Sequence, residues 1–318
     1  MTPQRVHGGP DAAGPAPHDF STSANAAGPC PAALAAVRDA DLVRYPDPAY
    51  EQLRLAVAER HGVGAERVVV AGSGSEFIFR FTAALARGGA RTAAWPEHAY
   101  GDYAAAAQAW GLQADGPPQL AWACEPSSPL GVPDRSLAAP AKAGTTLIVD
   151  RAYEPLRLEG RATPTPPSAW ELWTPNKALG LTGVRGAYAI APAGAQELVE
   201  RLHSLAPSWV LGAHGLAMLG AWCTGAVGSW LRDSLPTLRA WKARQQELCA
   251  RLGWEVLPSE ANYFTCRAPL DARRLRHLRE QGVQLRDCTS FGLPGHVRLG
   301  VRPPASQDAL RAAWEALR

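Results

Sequence analysis

The chain has 318 residues, 47% of them apolar, and a formal charge of +3, which supplies material for one large core and a smaller second one and excludes a disordered or fibrous protein. Its basic residues are mostly arginines scattered along the sequence, which excludes a surface that tracks a nucleic-acid backbone and points to small anions held in pockets. Six widely separated cysteines with no CxxC pair argue against a metal site and a disulfide framework, and with no apolar run near the ~18 residues of a membrane span the expectation is a soluble cytoplasmic protein with reduced thiols.

Residues 1–31 are rich in Gly, Pro and Ala and read as an extended arm, carrying Val6-His7-Gly8-Gly9 and the stretch 19–29 that contains Asn25. A short alanine-rich helix over 31–37 follows, then the turn Arg44-Tyr45-Pro46-Asp47-Pro48 and a helix over 50–61 closed by Gly62. Val68-Val69-Val70-Ala71 predicts a buried strand that runs into Gly72-Ser73-Gly74-Ser75 and a helix over 77–85. Small residues before a helix N-terminus form an anion site, because first-turn N–H groups and the helix dipole face the ligand. A nicotinamide-dinucleotide fingerprint is excluded there, since Phe77 stands where its third glycine is needed. A second strand over 92–96 leads to Tyr100 and Tyr103 at a helix start, and His98 lies between.

Thr145-Thr146-Leu147-Ile148-Val149-Asp150 predicts a buried parallel strand with a carboxylate at its carboxyl end, where open α/β sheets bind ligands; alone, Asp150 reads equally well as a turn residue or helix cap. Lys177 is one of only three lysines and sits in Trp173-Thr174-Pro175-Asn176-Lys177, before a small-residue loop that ends in Arg185. Desolvation there would leave its amine free to form a Schiff base. A strand over 186–191, a helix over 194–204 and a long helical region over 216–252 come next, and from Trp254 onward the pattern is that of a small α/β unit. In its strand over 297–302, Arg298 and Arg302 share one face.

These residues together resemble the aminotransferase class I and II family. Asp150-Arg151-Ala152-Tyr153 is similar to its Asp-x-Ala-Tyr element, and Thr174-Pro175-Asn176-Lys177 with Gly183-Val184-Arg185 to its Ser/Thr-x-x-Lys loop and phosphate arginine. The resemblance implies pyridoxal 5'-phosphate as cofactor. It makes Lys177 the Schiff-base lysine, Asp150 the partner of the ring nitrogen and Tyr100 the ring-stacking residue, with His98 as a competitor. It places Ser73, Gly74, Ser75, Thr174 and Arg185 around the cofactor phosphate and Ser128 and Tyr153 near its ring, and it has Tyr45 reach across a homodimer. Ser128 stands where the family has asparagine, and Gly212 where one branch has another. The implied fold is α/β, of the type I pyridoxal-phosphate transferases, with a mixed, mainly parallel sheet of the seven-stranded type. An arm and part of a small domain (1–40), a large domain (41–225) and the rest of the small domain (226–318) make up the chain.

The opening His-Gly-Gly and Asp-Phe-Ser stretch resembles one branch, the L-threonine O-3-phosphate decarboxylases of cobalamin biosynthesis. It implies His7, Asn25, Arg298 and Arg302 as contacts of a phosphorylated amino acid and decarboxylation as the activity. An aminotransferase acting on histidinol phosphate is the alternative. A non-catalytic cofactor-binding relative is a third reading, raised by Ser128 and Gly212.

Overall fold

The structure is a computed structural model that describes residues 7–138 and 142–317, so Val6 lies outside the described residues. The first half contains β1 (His18–Asp19), α1 (Pro31–Arg38), α2 (Glu51–His61), β2 (Val68–Ala71), α3 (Gly74–Arg87), β3 (Ala93–Ala94), α4 (Gly101–Ala109), β4 (Leu120–Cys124) and β5 (Thr146–Asp150). Then follow β6 (Trp170–Trp173), β7 (Ala187–Ile190), α5 (Gln196–Ser204), α6 (Ala213–Trp222), α7 (Gly225–Arg251), β8 (Glu255–Val256) and β9 (Tyr263–Arg267). The last elements are α8 (Ala272–Glu280), β10 (Val283–Gln284), β11 (Arg286–Asp287), β12 (His296–Gly300) and α9 (Pro304–Glu315).

The large sheet has the order β2-β7-β6-β5-β4-β3, six strands among the described residues where a sheet of the seven-stranded type was expected. Neighbours from β3 to β6 are parallel, and β7 runs against both β6 and β2. Period-two alternation sorts its apolar residues to two faces. Val68, Val70, Tyr188 and Ile190 pack with α1, α2, α6 and α7, whereas Val69, Ala71, Ala187 and Ala189 pack with α3, α4 and α5. Both faces are therefore covered, which is why β2, β5 and β7 read as unbroken apolar runs rather than alternating ones.

A four-stranded antiparallel sheet, β11-β12-β9-β8, packs with α8, α9 and the end of α7 around Phe264, Leu299 and Trp314. The arm is more ordered than its composition suggested: β1 pairs in parallel with β10, and Phe20 is fully buried in this second core. The helical region expected over 216–252 is two helices, because the chain turns at Cys223-Thr224. There the Thr224 hydroxyl bonds back to the Ala221 carbonyl at 2.8 Å.

Candidate active site

Every strand of the large sheet except β7 points the same way, so the segments leaving β2, β4, β5 and β6 emerge along one edge. Those segments carry Gly72 to Ser75, Cys124 to Ser128, Asp150 to Tyr153 and Thr174 to Lys177. The turn after β2 begins α3 with Ser73 as N-cap, its hydroxyl accepting from the Glu76 N–H at 3.0 Å. The Glu76 carboxylate accepts from the Gly72 N–H at 3.1 Å and pairs with Arg80 at 2.8 Å. This leaves the N–H groups of Gly74 and Ser75, which have no carbonyl one turn back, free for an anion. Glycine is required at 74, because a Cβ there would lie 2.8 Å from Cγ2 of Thr174. Gly74→Ala should push Thr174 off the cradle at a cost of about 1–3 kcal/mol. A roughly ten- to hundredfold weaker cofactor affinity in a fluorescence titration would show it.

Asp150 ends β5 with 7% of its surface exposed. Its Oδ1 accepts from the Ala152 N–H at 2.9 Å and its Oδ2 from the Tyr103 hydroxyl at 2.7 Å. Burial pushes this carboxyl up from the usual range, while the Tyr103 hydrogen bond, the Lys177 charge and the Ala152 N–H pull it down. A cationic ring nitrogen beside it would favour the charged form further. Lys177 follows β6 in a turn and places Nζ 3.4 Å from the Thr174 hydroxyl and 5.4 Å from the centre of the Tyr153 ring. The other lysines differ from it, since Lys242 is buried against Glu159 at 2.7 Å and Lys142 is exposed.

Tyr100 reaches the same edge, its hydroxyl 3.0 Å from Ser75 Oγ. The competitor His98 is turned away, because its Nδ1 lies 2.8 Å from the Phe291 carbonyl in the turn after β11. Tyr153 stacks edge-on against Tyr263 at 4.7 Å. Arg185 is exposed, and its guanidinium has no partner among the described residues. Ser128 accepts from Arg298 at 3.0 Å, which leaves the serine proton available to another acceptor. Tyr45 is exposed and stacked on Trp209 at 4.4 Å.

Arg298 on β12 is 6% exposed, donates to Ser128 and to the Ser21 carbonyl at 3.1 Å, and leaves its Nε without a partner. No carboxylate pairs with it among the described residues. Arg286 is its register partner on β11, and burial together with the Arg298 charge weakens the hold of Arg286 on its proton. No local pattern singles out Arg286, since its neighbour appears only once the strands are paired. His7 of the arm comes to 5.8 Å from the Tyr100 ring, held there by the Gly9 N–H donating to Ser21 Oγ at 2.8 Å.

One expected substrate contact is otherwise engaged. Asn25 is buried, its Nδ2 donating to Ser234 on α7 at 2.9 Å and its Oδ1 accepting from the Ala27 N–H at 3.0 Å. With its own N–H on the Lys177 carbonyl at 2.9 Å, it fastens the arm to the lysine turn. Arg302 lies past the end of β12, so it does not share a strand face with Arg298; it donates to the Thr22 carbonyl at 2.6 Å and lies 4.0 Å from Asp19 Oδ2, and its Nε, like that of Arg298, has no partner among the described residues.

Among the described residues, no group of three His, Cys, Asp or Glu is placed to hold a metal ion, and no helix is long and apolar enough to cross a membrane. The donors fit a phosphorylated pyridine aldehyde: amide N–H groups and the Ser73–Ser75 turn for the phosphate, a buried carboxylate for the ring nitrogen, and an amine for the aldehyde.

Comparison with known proteins agrees with this donor set. The sequence model of "Aminotransferase class I and II" matches residues 122–317. A histidinol-phosphate aminotransferase 2 of Ralstonia nicotianae is 29% identical over 312 residues, covering 86% of this chain and 81% of the relative. The histidinol-phosphate aminotransferase of Sinorhizobium meliloti, solved with pyridoxal 5'-phosphate, superposes with a TM-score of 0.77 at 20% identity, over 93% of this chain and 90% of that one. An L-threonine-O-3-phosphate decarboxylase of Porphyromonas gingivalis gives 0.70 at 21% identity, over 89% and 92%. This chain therefore belongs to the aminotransferase class I and II family, has the type I fold of its members, and uses pyridoxal 5'-phosphate.

Proposed function

We propose that the chain is an aminotransferase acting on a small phosphorylated amine or amino acid, with histidinol phosphate as the reference substrate. The observation that carries the substrate class is Arg298: a buried guanidinium with no carboxylate partner costs several kcal/mol unless an anion completes it. Arg286 beside it adds a second positive charge, which suits a dianion such as a phosphate. The relatives named histidinol-phosphate aminotransferase support transamination as the reaction.

In this reading Lys177 holds the cofactor covalently, and Ser73, Gly74, Ser75, Thr174 and Arg185 hold its phosphate. Asp150 would pair with the ring nitrogen and Tyr100 with the ring, and Ser128 and Tyr153 would complete the cofactor site. The bound cofactor supplies an electron sink. The Lys177 amine would move a proton at the substrate α-carbon, while Arg298 and Arg286 would fix the substrate's anionic end. The exposed Leu42, Val43 and Tyr45 fit a homodimer in which Tyr45 meets the partner's cofactor phosphate. We place the domain divisions near residues 40 and 225, the latter where α7 begins.

Decarboxylation of L-threonine O-3-phosphate is the second reading, favoured by the docked arm that brings His7 to Tyr100. A substrate panel decides. Histidinol phosphate should convert the cofactor to its amine form and turn over only with a 2-oxo acid. Carbon dioxide released from threonine phosphate with no 2-oxo acid consumed would overturn the aminotransferase reading, and a loaded protein that turns over nothing would leave a binding relative.

A further inference from the structure

Tyr103 is buried at 0% exposure, and its place in the site is set on three sides. Its ring stacks on Trp122 at 4.9 Å with an interplanar angle of 11°, which fixes the ring plane. It also meets Tyr100 in a T-shaped pair at 6.0 Å and 85°, a favourable aromatic geometry. Its hydroxyl donates to Asp150 Oδ2 at 2.7 Å. The residue thus touches both groups assigned to the cofactor ring, the carboxylate at its nitrogen and the tyrosine at its face. Spacing within the chain makes this possible, because Tyr100 caps α4 and Tyr103 lies in its first turn.

We propose that Tyr103 is a positioning residue for the pyridoxal-phosphate chemistry, whose hydroxyl keeps Asp150 ionised and aimed so that the ring nitrogen holds its proton. The inference rests on the assignment of Asp150 as ring-nitrogen partner. Asp150 and the ring nitrogen compete for one proton. Asp150 is buried, and burial alone favours its neutral form, which would take the proton from the pyridine nitrogen and remove the electron sink. A buried phenol donating to the carboxylate stabilises the charged form and returns the proton to the ring. Oδ1 is meanwhile fixed by the Ala152 N–H, so both oxygens are oriented before the cofactor arrives.

The test uses the holoenzyme of the parent, Tyr103→Phe, Tyr103→Leu and Asp150→Asn, loaded with cofactor labelled with ¹⁵N in the ring. The phenylalanine keeps the stack on Trp122 and removes only the donor. It should shift the ring-nitrogen resonance toward that of a neutral pyridine and lower kcat about ten- to a hundredfold with KM within about threefold. A merely structural Tyr103 would instead give a phenylalanine variant with parental ¹⁵N shift and kcat, only the leucine variant being impaired, and that result overturns the proposal. Asp150→Asn separates the two layers. If it abolishes ring protonation while Tyr103→Phe does not, only the role of Tyr103 fails; if ring protonation survives in Asp150→Asn, the assignment of Asp150 fails and this inference with it.

Discussion

Lys177→Ala is expected to abolish the borohydride-reducible link between protein and cofactor and to lower turnover by roughly 10²–10⁴-fold, the usual contribution of a positioned proton-transfer group. The expectation follows from the three lysines of the chain. Lys242 is buried and its amine is fixed on Glu159 and the Ser259 carbonyl, away from the strand ends that carry Asp150 and Thr174, and Lys142 lies exposed on a loop. Lys177 alone stands half-buried at the strand ends, with a hydroxyl, an aromatic face and the buried Asp150 around it. Peptide mapping after reduction checks this directly. Lys142→Ala and Lys242→Ala should keep the label on the peptide that carries Lys177, and label on either of the other lysines would reject the assignment.

Asp150→Asn should leave a folded protein whose turnover falls by about 10²–10³, the scale seen when one preorganised electrostatic partner of a reacting group is removed. An asparagine is nearly the same shape; its Oδ1 can still accept from the Ala152 N–H while its Nδ2 donates to the Tyr103 oxygen, so the fold around β5 is preserved. What it cannot supply is negative charge. Without that charge the ring nitrogen gives up its proton in an apolar surrounding, and the pull on electrons at the substrate α-carbon weakens. Thermal melting beside steady-state kinetics separates the effects: an unchanged Tm with a much reduced kcat supports the role, and near-parental turnover would make Asp150 structural.

The sequence by itself determined the groups that sit on short local elements. A β-branched run that ends in Asp150, a small-residue turn at the start of α3, and a lysine four residues past Trp173 each carry their geometry in a few adjacent residues. Strand and helix-cap rules act over that range, and the parallel sheet then brings their ends to one edge. Tertiary structure decided the rest, because a side chain's partner depends on where distant elements cross. Asn25 looked like a substrate contact until Ser234 of α7 proved to lie against it, and the bond from Arg302 to the Thr22 carbonyl exists only because the arm docks there. Arg286 gained Arg298 as a neighbour only through the β11–β12 register, and His98 turned to the Phe291 carbonyl only because the small sheet packs beside it. Tyr103 was legible as a helix residue, but its bond to Asp150 arises where α4 crosses the end of β5, and no local pattern specifies that crossing. A buried polar group must find a partner, and the chain's path through space determines which one it finds.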